Sequence, residues 1–197
     1  MDSNIKGSTL RYLGTAVIFT IGSVILLGLV YPLVMTEISM LVFPHQANGS
    51  MVSVNGKPIG SQIIGQLWTK PQYFHGRPSA AGKNGYDPTS TGARNEGPTS
   101  KRLIDLTKAT IEALEKENPD ATIPVPMDLV TSSGSGIDPD ISPEGALYQA
   151  PRVAKARNLP LDKVLALIAQ HTRGRQFGFL GEPRVNVLDL NRALDRI

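Results

Sequence analysis

The sequence predicts an α+β fold, in which one N-terminal transmembrane helix is followed by a single extracytoplasmic domain of several helices and a few short strands. Two observations carry this prediction. An apolar stretch near the N-terminus contains no charged side chain, and most later segments repeat apolar residues at the three- or four-residue spacing of amphipathic helices. We therefore divide the chain into a cytoplasmic tail (1–11), a transmembrane helix (12–35) and an extracytoplasmic domain (36–197).

The transmembrane helix is predicted from the length of the stretch Tyr12–Met35, which contains only uncharged residues. About 20 apolar residues cross the roughly 30 Å hydrocarbon core of a bilayer as a helix. A buried helix of a soluble protein normally carries charge on one face. A cleaved signal peptide has a shorter apolar core and a small-residue cleavage site. The stretch therefore indicates an uncleaved membrane anchor.

The flanking charges predict how this helix is oriented. Lys6 and Arg11 precede it, and no further lysine or arginine occurs until Lys57. Because positively charged flanks stay in the cytoplasm, we expect a single-pass protein of the cell inner (plasma) membrane with its bulk outside. The absence of cysteine fits a bacterial periplasm or outer surface. A net charge of +3 without a dense basic run argues against a nucleic-acid partner.

The elements of the outer domain follow from local signals. Asn55-Gly56 predicts a hairpin turn, because both central residues of a type I′ turn need positive φ. Ser142 and Pro143 suit the N-cap and first position of a helix. In chain order we predict a linker (44–49), a hairpin (50–54 and 57–59), a short helix (61–67), a long loop (71–98), a helix (100–116), a short strand (128–131), a helical hairpin (143–157 and 161–171), a strand or helix start (185–187) and a C-terminal helix.

Tests for familiar chemistry give little support for an enzyme. The segment from Gly76 to Lys83 has one residue too many for a phosphate-binding loop. The serines at 132, 133 and 135 do not fit the G-x-S-x-G pattern of a nucleophile elbow. The three histidines lie outside any metal-binding motif, so we predict no metal site. A membrane-anchored serine hydrolase and an anchored binding module remain alternatives to a noncatalytic subunit.

Several segments, taken in order, carry a resemblance to a known family. After the apolar stretch come GSQIIGQ (60–66), YFHGRPSA (73–80), residues 90–98, SGSGIDP (133–139), Gln149 with PRVAKAR (151–157), and GEPRVNVL (181–188). In this order they resemble the C subunit of the Kdp-type potassium-transporting ATPase of bacteria and archaea. The resemblance covers nearly the whole chain.

The resemblance implies a noncatalytic accessory subunit of an ATP-driven potassium import complex. It implies three partners: a channel-like potassium-translocating subunit, a P-type ATPase subunit that hydrolyses ATP, and a small single-span subunit. The family is described as a catalytic chaperone that raises the ATP affinity of the ATPase subunit, so ATP and potassium are handled by the complex. Gln149 and Arg152 match a part of the family likened to an ATP-recognition signature, although the predicted orientation puts them away from cytosolic ATP.

The loops 71–98 and 131–143 are predicted to face a partner. They are rich in hydroxyl, amide and carbonyl oxygens, which potassium prefers as ligands, and an outer domain suits a position over the mouth of the potassium path. The partner-facing residues that we predict are Phe74, His75, Arg77, Asn95, Ser133, Ser135 and Asp138.

Overall fold

A computed structural model describes residues 2–197 of the chain, with side chains from Thr9 onward. The chain forms two compact units, one up to Ser50 and the other from Met51 to Ile197. The α+β class, with one N-terminal apolar helix ahead of further helices and a few short strands, is confirmed.

The first unit is almost entirely helical. It contains α1 (Asp2–Ile25), a π-helical turn (Leu26–Val30), α2 (Tyr31–Val42) and the short α3 (Pro44–Ala47). By length and composition, Thr9–Val42 can cross a membrane, and it extends beyond the predicted 12–35 at both ends. The predicted linker 44–49 is wrong in its first part, because α3 occupies it.

The π-helical turn has an identifiable cause in the sequence. Pro32 follows it at the beginning of α2. Proline has no backbone N–H, and its ring clashes with the carbonyl four residues earlier, here that of Gly28. A wider turn over Leu26–Val30 relieves that crowding while the helix continues.

The second unit begins with the predicted hairpin. Strands β1 (Met51–Val54) and β2 (Lys57–Ser61) pair antiparallel, with an irregularity between Val52 and Ser53. Asn55 and Gly56 have φ values of +50° and +76°, as a type I′ turn requires. The hairpin prediction is therefore confirmed, and β2 extends two residues further than expected.

A small antiparallel sheet lies at the centre of the second unit. Its strands are β3 (Asp140–Ile141), β4 (Thr172–Arg173) and β5 (Arg184–Asn186), in the order β3-β5-β4. Val185 pairs with both Ile141 and Thr172 and is fully buried. Only β5 overlaps a segment predicted as a possible strand (185–187), because two-residue strands carry no periodicity.

Four helices complete the second unit: α4 (Lys101–Glu117), α5 (Pro143–Arg157), α6 (Leu161–His171) and α7 (Val187–Leu194). The helical hairpin of α5 and α6 is confirmed, and Asn158 ends α5 in the left-handed conformation with φ +53°. The core consists mainly of side chains from α5, α6 and α7 packed on β5, and it includes the side chain of Phe74.

Two predicted elements are wrong. The segment 61–67 forms no helix, because its backbone bonds across the fold: the Gly65 N–H donates to the Ile137 carbonyl at 2.7 Å. The segment 128–131 is not a strand. Met127–Leu129 forms a single 3₁₀ turn, and Asp128 accepts hydrogen bonds from the N–H and hydroxyl of Ser142, the N-cap of α5.

Candidate functional site: a long loop held by helix side chains

The loop 71–98 contains no helix or strand, and its first part lies against α5 and α7. The backbone N–H and C=O groups of Phe74 and His75 need hydrogen-bond partners where they are buried. A neighbouring strand would normally supply such partners, but here two side-chain amides do so. Gln149 of α5 and Asn191 of α7 each bond to both backbone groups of one loop residue.

Gln149 makes four hydrogen bonds within the chain and is 1% exposed. Its Oε1 accepts from the His75 N–H at 2.8 Å and from Arg152 Nη2 at 2.8 Å. Its Nε2 donates to the carbonyl oxygens of His75 and Gly145, both at 3.1 Å. All the bonding capacity of this amide is used inside the domain.

Asn191 repeats the same arrangement one residue earlier in the loop. Its Oδ1 accepts from the Phe74 N–H at 2.8 Å, and its Nδ2 donates to the Phe74 carbonyl at 3.0 Å. Asn191 is fully buried, as is the ring of Phe74. Together the two amides act as a side-chain ladder, a term we use for Gln149 and Asn191 with the backbone of residues 74 and 75.

Arg152 fixes the beginning of the same loop. Its Nη1 donates to the carbonyls of Pro71 and Tyr73, at 2.6 and 3.1 Å, and its Nε donates to Asn118 Oδ1 at 2.9 Å. The residue is 7% exposed. Burial lowers the pKa of Arg152, and the nearby Glu117 carboxylate opposes this shift. Three hydrogen bonds of Arg152 therefore hold the loop and the end of α4, and a fourth, from Nη2, goes to Gln149.

Arg157, one turn further along α5, contributes in the same way. Its Nε donates to the Gln72 carbonyl at 2.7 Å, and its Nη1 donates to the Leu194 carbonyl at 3.0 Å. Its Nη2 pairs with Asp195 at 2.7 Å, and the guanidinium lies 4.8 Å from the centre of the Tyr73 ring. The loop is thus joined to both α5 and the end of α7.

His75 connects the loop to α4. Its Nδ1 lies 3.1 Å from Glu117 Oε1, and its Nε2 lies 3.0 Å from the Lys70 carbonyl. Because both ring nitrogens face oxygen acceptors, both bonds form only when each nitrogen carries a proton. The hydrogen bond from His75 lowers the pKa of Glu117, with a smaller contribution from Arg152, and partial burial acts in the opposite direction.

The later part of the loop bonds to the second predicted loop, 131–143. Arg77 Nη1 donates to Asp138 Oδ2 at 2.9 Å, and the Gly92 N–H donates to the Ser135 carbonyl at 2.9 Å. The Ser79 hydroxyl donates to the Gly136 carbonyl. The hydroxyl of Tyr86 donates to the Arg77 carbonyl, and burial, with a contribution from Asp138, raises the pKa of Tyr86 to about 12.

Gly136 shows how closely the two loops approach. Its φ is +73°, and a Cβ at this position would lie 2.7 Å from the Ala81 nitrogen and 2.8 Å from the Gly92 carbonyl oxygen. Only glycine tolerates both the backbone conformation and the contact. The neighbouring Gly134 has nothing within 4 Å of such a Cβ.

The structure places the predicted partner-facing residues in different environments. Phe74 and Ser133 are buried, so neither side chain lies on the surface of the domain. His75, Arg77 and Asp138 are half-buried and paired within the chain. Asn95 and Ser135 are exposed.

Two of the three serines considered as nucleophiles, Ser133 and Ser135, stabilise a turn. The Ser133 hydroxyl accepts from the Gly136 N–H at 2.8 Å, and the Ser135 hydroxyl accepts from the Ile137 N–H at 3.2 Å. His75 is bonded to Glu117, and His171 Nδ1 lies 2.9 Å from the Leu167 carbonyl in its own helix. Among the described residues, no group of three or more histidine, aspartate or glutamate side chains is arranged to hold a metal ion.

The two residues predicted to contact nucleotide, Gln149 and Arg152, are surrounded by groups of the same chain that already pair with them. Gln149 has no unused hydrogen-bonding group. Arg152 lines a cavity of about 290 Å³ together with Lys116 and Lys155. Two carboxylates share this cavity: Asp120 lies 3.0 Å from Lys155, and Glu117 lies 3.6 Å from Arg152. A phosphate bound here would have to compete with both for their cations.

Most of the residues that hold the loop could not be identified from the sequence, namely Asn118, Glu117, Arg157 and Asn191. One signal was present. Asn191 falls on the apolar stripe of α7 between Val187, Leu190 and Leu194, all of which are buried. A polar side chain at such a position needs a buried hydrogen-bond partner, although the sequence does not say which.

The structure has one helix that could cross a membrane by length and composition, followed by an α+β domain whose long loops are held by side-chain hydrogen bonds. This architecture is consistent with a single-pass membrane subunit. The family described as KdpC, K+-transporting ATPase, c chain, matches residues 13–196. The chain belongs to this family. As the resemblance predicts, it is one subunit of a P-type ATPase complex and not an enzyme by itself.

Relatives agree with this assignment over nearly the full length. A protein of Acidobacterium capsulatum is 54% identical over 188 residues, which cover 95% of this chain and 100% of the relative. A protein of Methylococcus capsulatus is 52% identical over 86% of this chain and 90% of its own length. One of Koribacter versatilis is 50% identical over 92% of each chain. All three are named potassium-transporting ATPase KdpC subunit.

Proposed function

We propose that this chain is the noncatalytic accessory subunit of an ATP-driven potassium import complex. Its partners are a channel-like potassium-translocating subunit, a P-type ATPase subunit and a small single-span subunit. It supports their assembly and raises the ATP affinity of the ATPase subunit. The observation that carries this proposal is the family match over residues 13–196, which includes both the apolar helix and the outer domain.

The proposal includes an orientation, with the N-terminus in the cytoplasm and the domain outside. It is supported by Lys6 and Arg11 before the apolar helix and by the absence of lysine and arginine between it and Lys57. Because the chain has no cysteine, single cysteines report the side directly. An impermeant thiol reagent applied to intact cells should label Lys155→Cys, which is exposed on α5, and leave Ser8→Cys unlabelled. The reverse pattern would refute the orientation.

The effect on ATP is then indirect. Gln149 and Arg152 use their polar groups to hold the loop 71–98, and an outer domain does not meet cytosolic nucleotide. We therefore assign the change in ATP affinity to contacts that the anchored chain makes with its partners. ATP and potassium are handled by the complex as a whole.

We place the joined loops 71–98 and 131–143 at the mouth of the potassium path. Two exposed residues of these loops, Asn95 and Ser135, carry side-chain oxygens. Gly134 is exposed in the loop 131–143, and a Cβ there would have nothing within 4 Å. We therefore expect Gly134→Trp to add bulk to this surface while the thermal unfolding of the chain stays native-like. Cells with this variant should grow poorly at limiting potassium, whereas Gln170→Trp, on the exposed side of α6, should have no effect. Equal growth of both strains would exclude this position.

The test of the proposal as a whole is co-purification. After gentle solubilisation, a tag on this chain should bring down the other three subunits. An isolated chain that reacts with serine-directed probes would favour the hydrolase alternative, and an isolated unreactive chain would favour an unrelated binding module.

A further inference from the structure

The chain between β4 and β5 forms a hairpin that extends past the small sheet. The backbone N–H groups of Gln176 and Leu180 each donate to the other residue's carbonyl, both at 2.9 Å. The Gly178 and Phe179 N–H groups close the turn, donating to the carbonyls of Arg175 and Gln176. These bonds give the segment 174–182 a defined shape. We call its apolar side chains, Phe177, Phe179 and Leu180, the aromatic tip.

The aromatic tip is exposed to an unusual degree. Phe177 is 88% exposed and Phe179 is 71% exposed. Scattered apolar residues are normal on a surface, but adjoining large ones mark sites of interaction. The tip therefore presents apolar area that the second unit does not cover.

The backbone conformation of Phe177 also indicates a site of interaction. Its φ is +52°, a conformation that bulky side chains rarely adopt. Such a conformation persists where the surrounding structure imposes it, and it is concentrated at sites of recognition. Here the hairpin bonds impose it and turn the ring outward. A fixed backbone shape suits a pocket of matching shape better than a fluid lipid surface.

The charges around the tip favour a neutral partner. Three arginines flank it, and each is paired within the chain: Arg173 with Asp189 at 3.0 Å, Arg175 with Glu182, and Arg184 with Asp140 at 3.1 Å. These carboxylates offset the charges of the arginines, so little net positive charge is left beside the tip to attract lipid phosphates. A neutral apolar pocket requires no such charge.

We propose that the aromatic tip inserts into an apolar, uncharged pocket on another subunit of the potassium-transporting ATPase. This inference rests on the proposed function, since it requires that the chain assemble with partners. Within the complex, Phe177 and Phe179 act as the anchor residues of the contact. Their neutralised surroundings form its rim.

The first experiment asks what lies against the tip. A photo-reactive phenylalanine analogue placed at position 177 of the full chain should cross-link to another subunit when the intact complex is irradiated in membranes. The same analogue at Met127, an exposed apolar residue in the 3₁₀ turn before α5, is the control and should give far less product. Cross-links at position 177 to lipid only, to a second copy of this chain, or to nothing would each overturn the proposal.

The second experiment measures the contribution of the tip to assembly. The double variant Phe177→Ser/Phe179→Ser removes exposed side chains, so its thermal unfolding should match that of the native chain. Its retention on complex captured through the ATPase subunit should fall by about tenfold or more. Met127→Ser should be retained like the native chain.

Retention of the native chain on the captured complex distinguishes a failure of the proposed function from a failure of the role proposed for the aromatic tip. If it is not retained on the captured complex, the proposed function itself fails. If it is retained and the double variant is retained equally, only the role of the aromatic tip is refuted.

Discussion

Replacement of Gln149 by alanine would test whether this residue holds the loop or binds nucleotide. In the structure its amide satisfies the N–H and C=O groups of His75 and one N–H of Arg152. Gln149→Ala would leave these three groups without the partner that a side chain only 1% exposed now supplies. An unmade hydrogen bond at a buried site costs about 1 kcal/mol or more.

These contributions set the expected size of the effect. Three unpaired groups give a loss of roughly 3 kcal/mol in the free energy of unfolding, and the cavity left by the amide adds to it. The free energy of unfolding of a natural domain is about 5–15 kcal/mol in total. At roughly 2–4 °C per kcal/mol, the midpoint of thermal unfolding should fall by roughly 6–12 °C.

The assay is thermal unfolding of the full chain in detergent, followed by circular dichroism, with ATP binding by the assembled complex as a second measurement. Gln170→Ala, on the exposed side of α6, is the matched control and should change neither quantity. An unchanged melting temperature for Gln149→Ala would refute the structural role. If ATP binding weakened while the melting temperature stayed unchanged, a direct nucleotide contact would be supported instead.

Three further predictions concern the same region. Asn191→Ala should lower the free energy of unfolding by about 2 kcal/mol, measured by urea denaturation, because both backbone groups of Phe74 lose their partner; a change below about 0.5 kcal/mol would contradict this. Gly136→Ala should destabilise the protein by more than 1 kcal/mol, on the order of the strain at such a site, and open the loops to proteolysis, whereas Gly134→Ala should do neither. Glu117→Gln should cost less than about 1 kcal/mol at neutral pH, since the carboxylate is partly exposed. Because the pKa of Glu117 is lowered in the folded state, the stabilisation is present above the unfolded pKa of about 4.3 and is lost as the pH falls through the folded pKa. The difference between native and variant should therefore narrow in acid, and a constant difference would argue against the pairing with His75.

The sequence was sufficient for elements that depend on neighbouring residues. The apolar helix follows from an uncharged stretch, the first hairpin from Asn55-Gly56, and the start of α5 from Ser142 and Pro143. In each case the residues that determine the structure lie within a few positions of each other. The family resemblance was also recoverable, because its motifs occur in order along the chain.

Elements that depend on distant residues were not predictable. The segment 61–67 has a helix-like pattern, but Gly65 packs against the backbone of residues 137 and 138. Its N–H bonds to the Ile137 carbonyl and not to a carbonyl within a helix. Asp128 lies in a strand-like segment but caps α5 through Ser142. In the side-chain ladder, Gln149 lies 74 positions after His75 and Asn191 lies 117 positions after Phe74. No local sequence pattern indicates pairing over such distances.

The side-chain ladder also has a consequence for biogenesis. The side chains of Gln149, Arg152, Arg157 and Asn191, which hold the beginning of the loop 71–98, all lie later in the chain. Asn191 in α7 comes 117 positions after its partner Phe74. We expect the loop to be only partly held in a nascent chain until α7 has been synthesised and docked. A partner that binds this loop in its folded shape would then bind only the fully folded domain. Docking of the last helix would therefore have to precede assembly of the subunit with its partners.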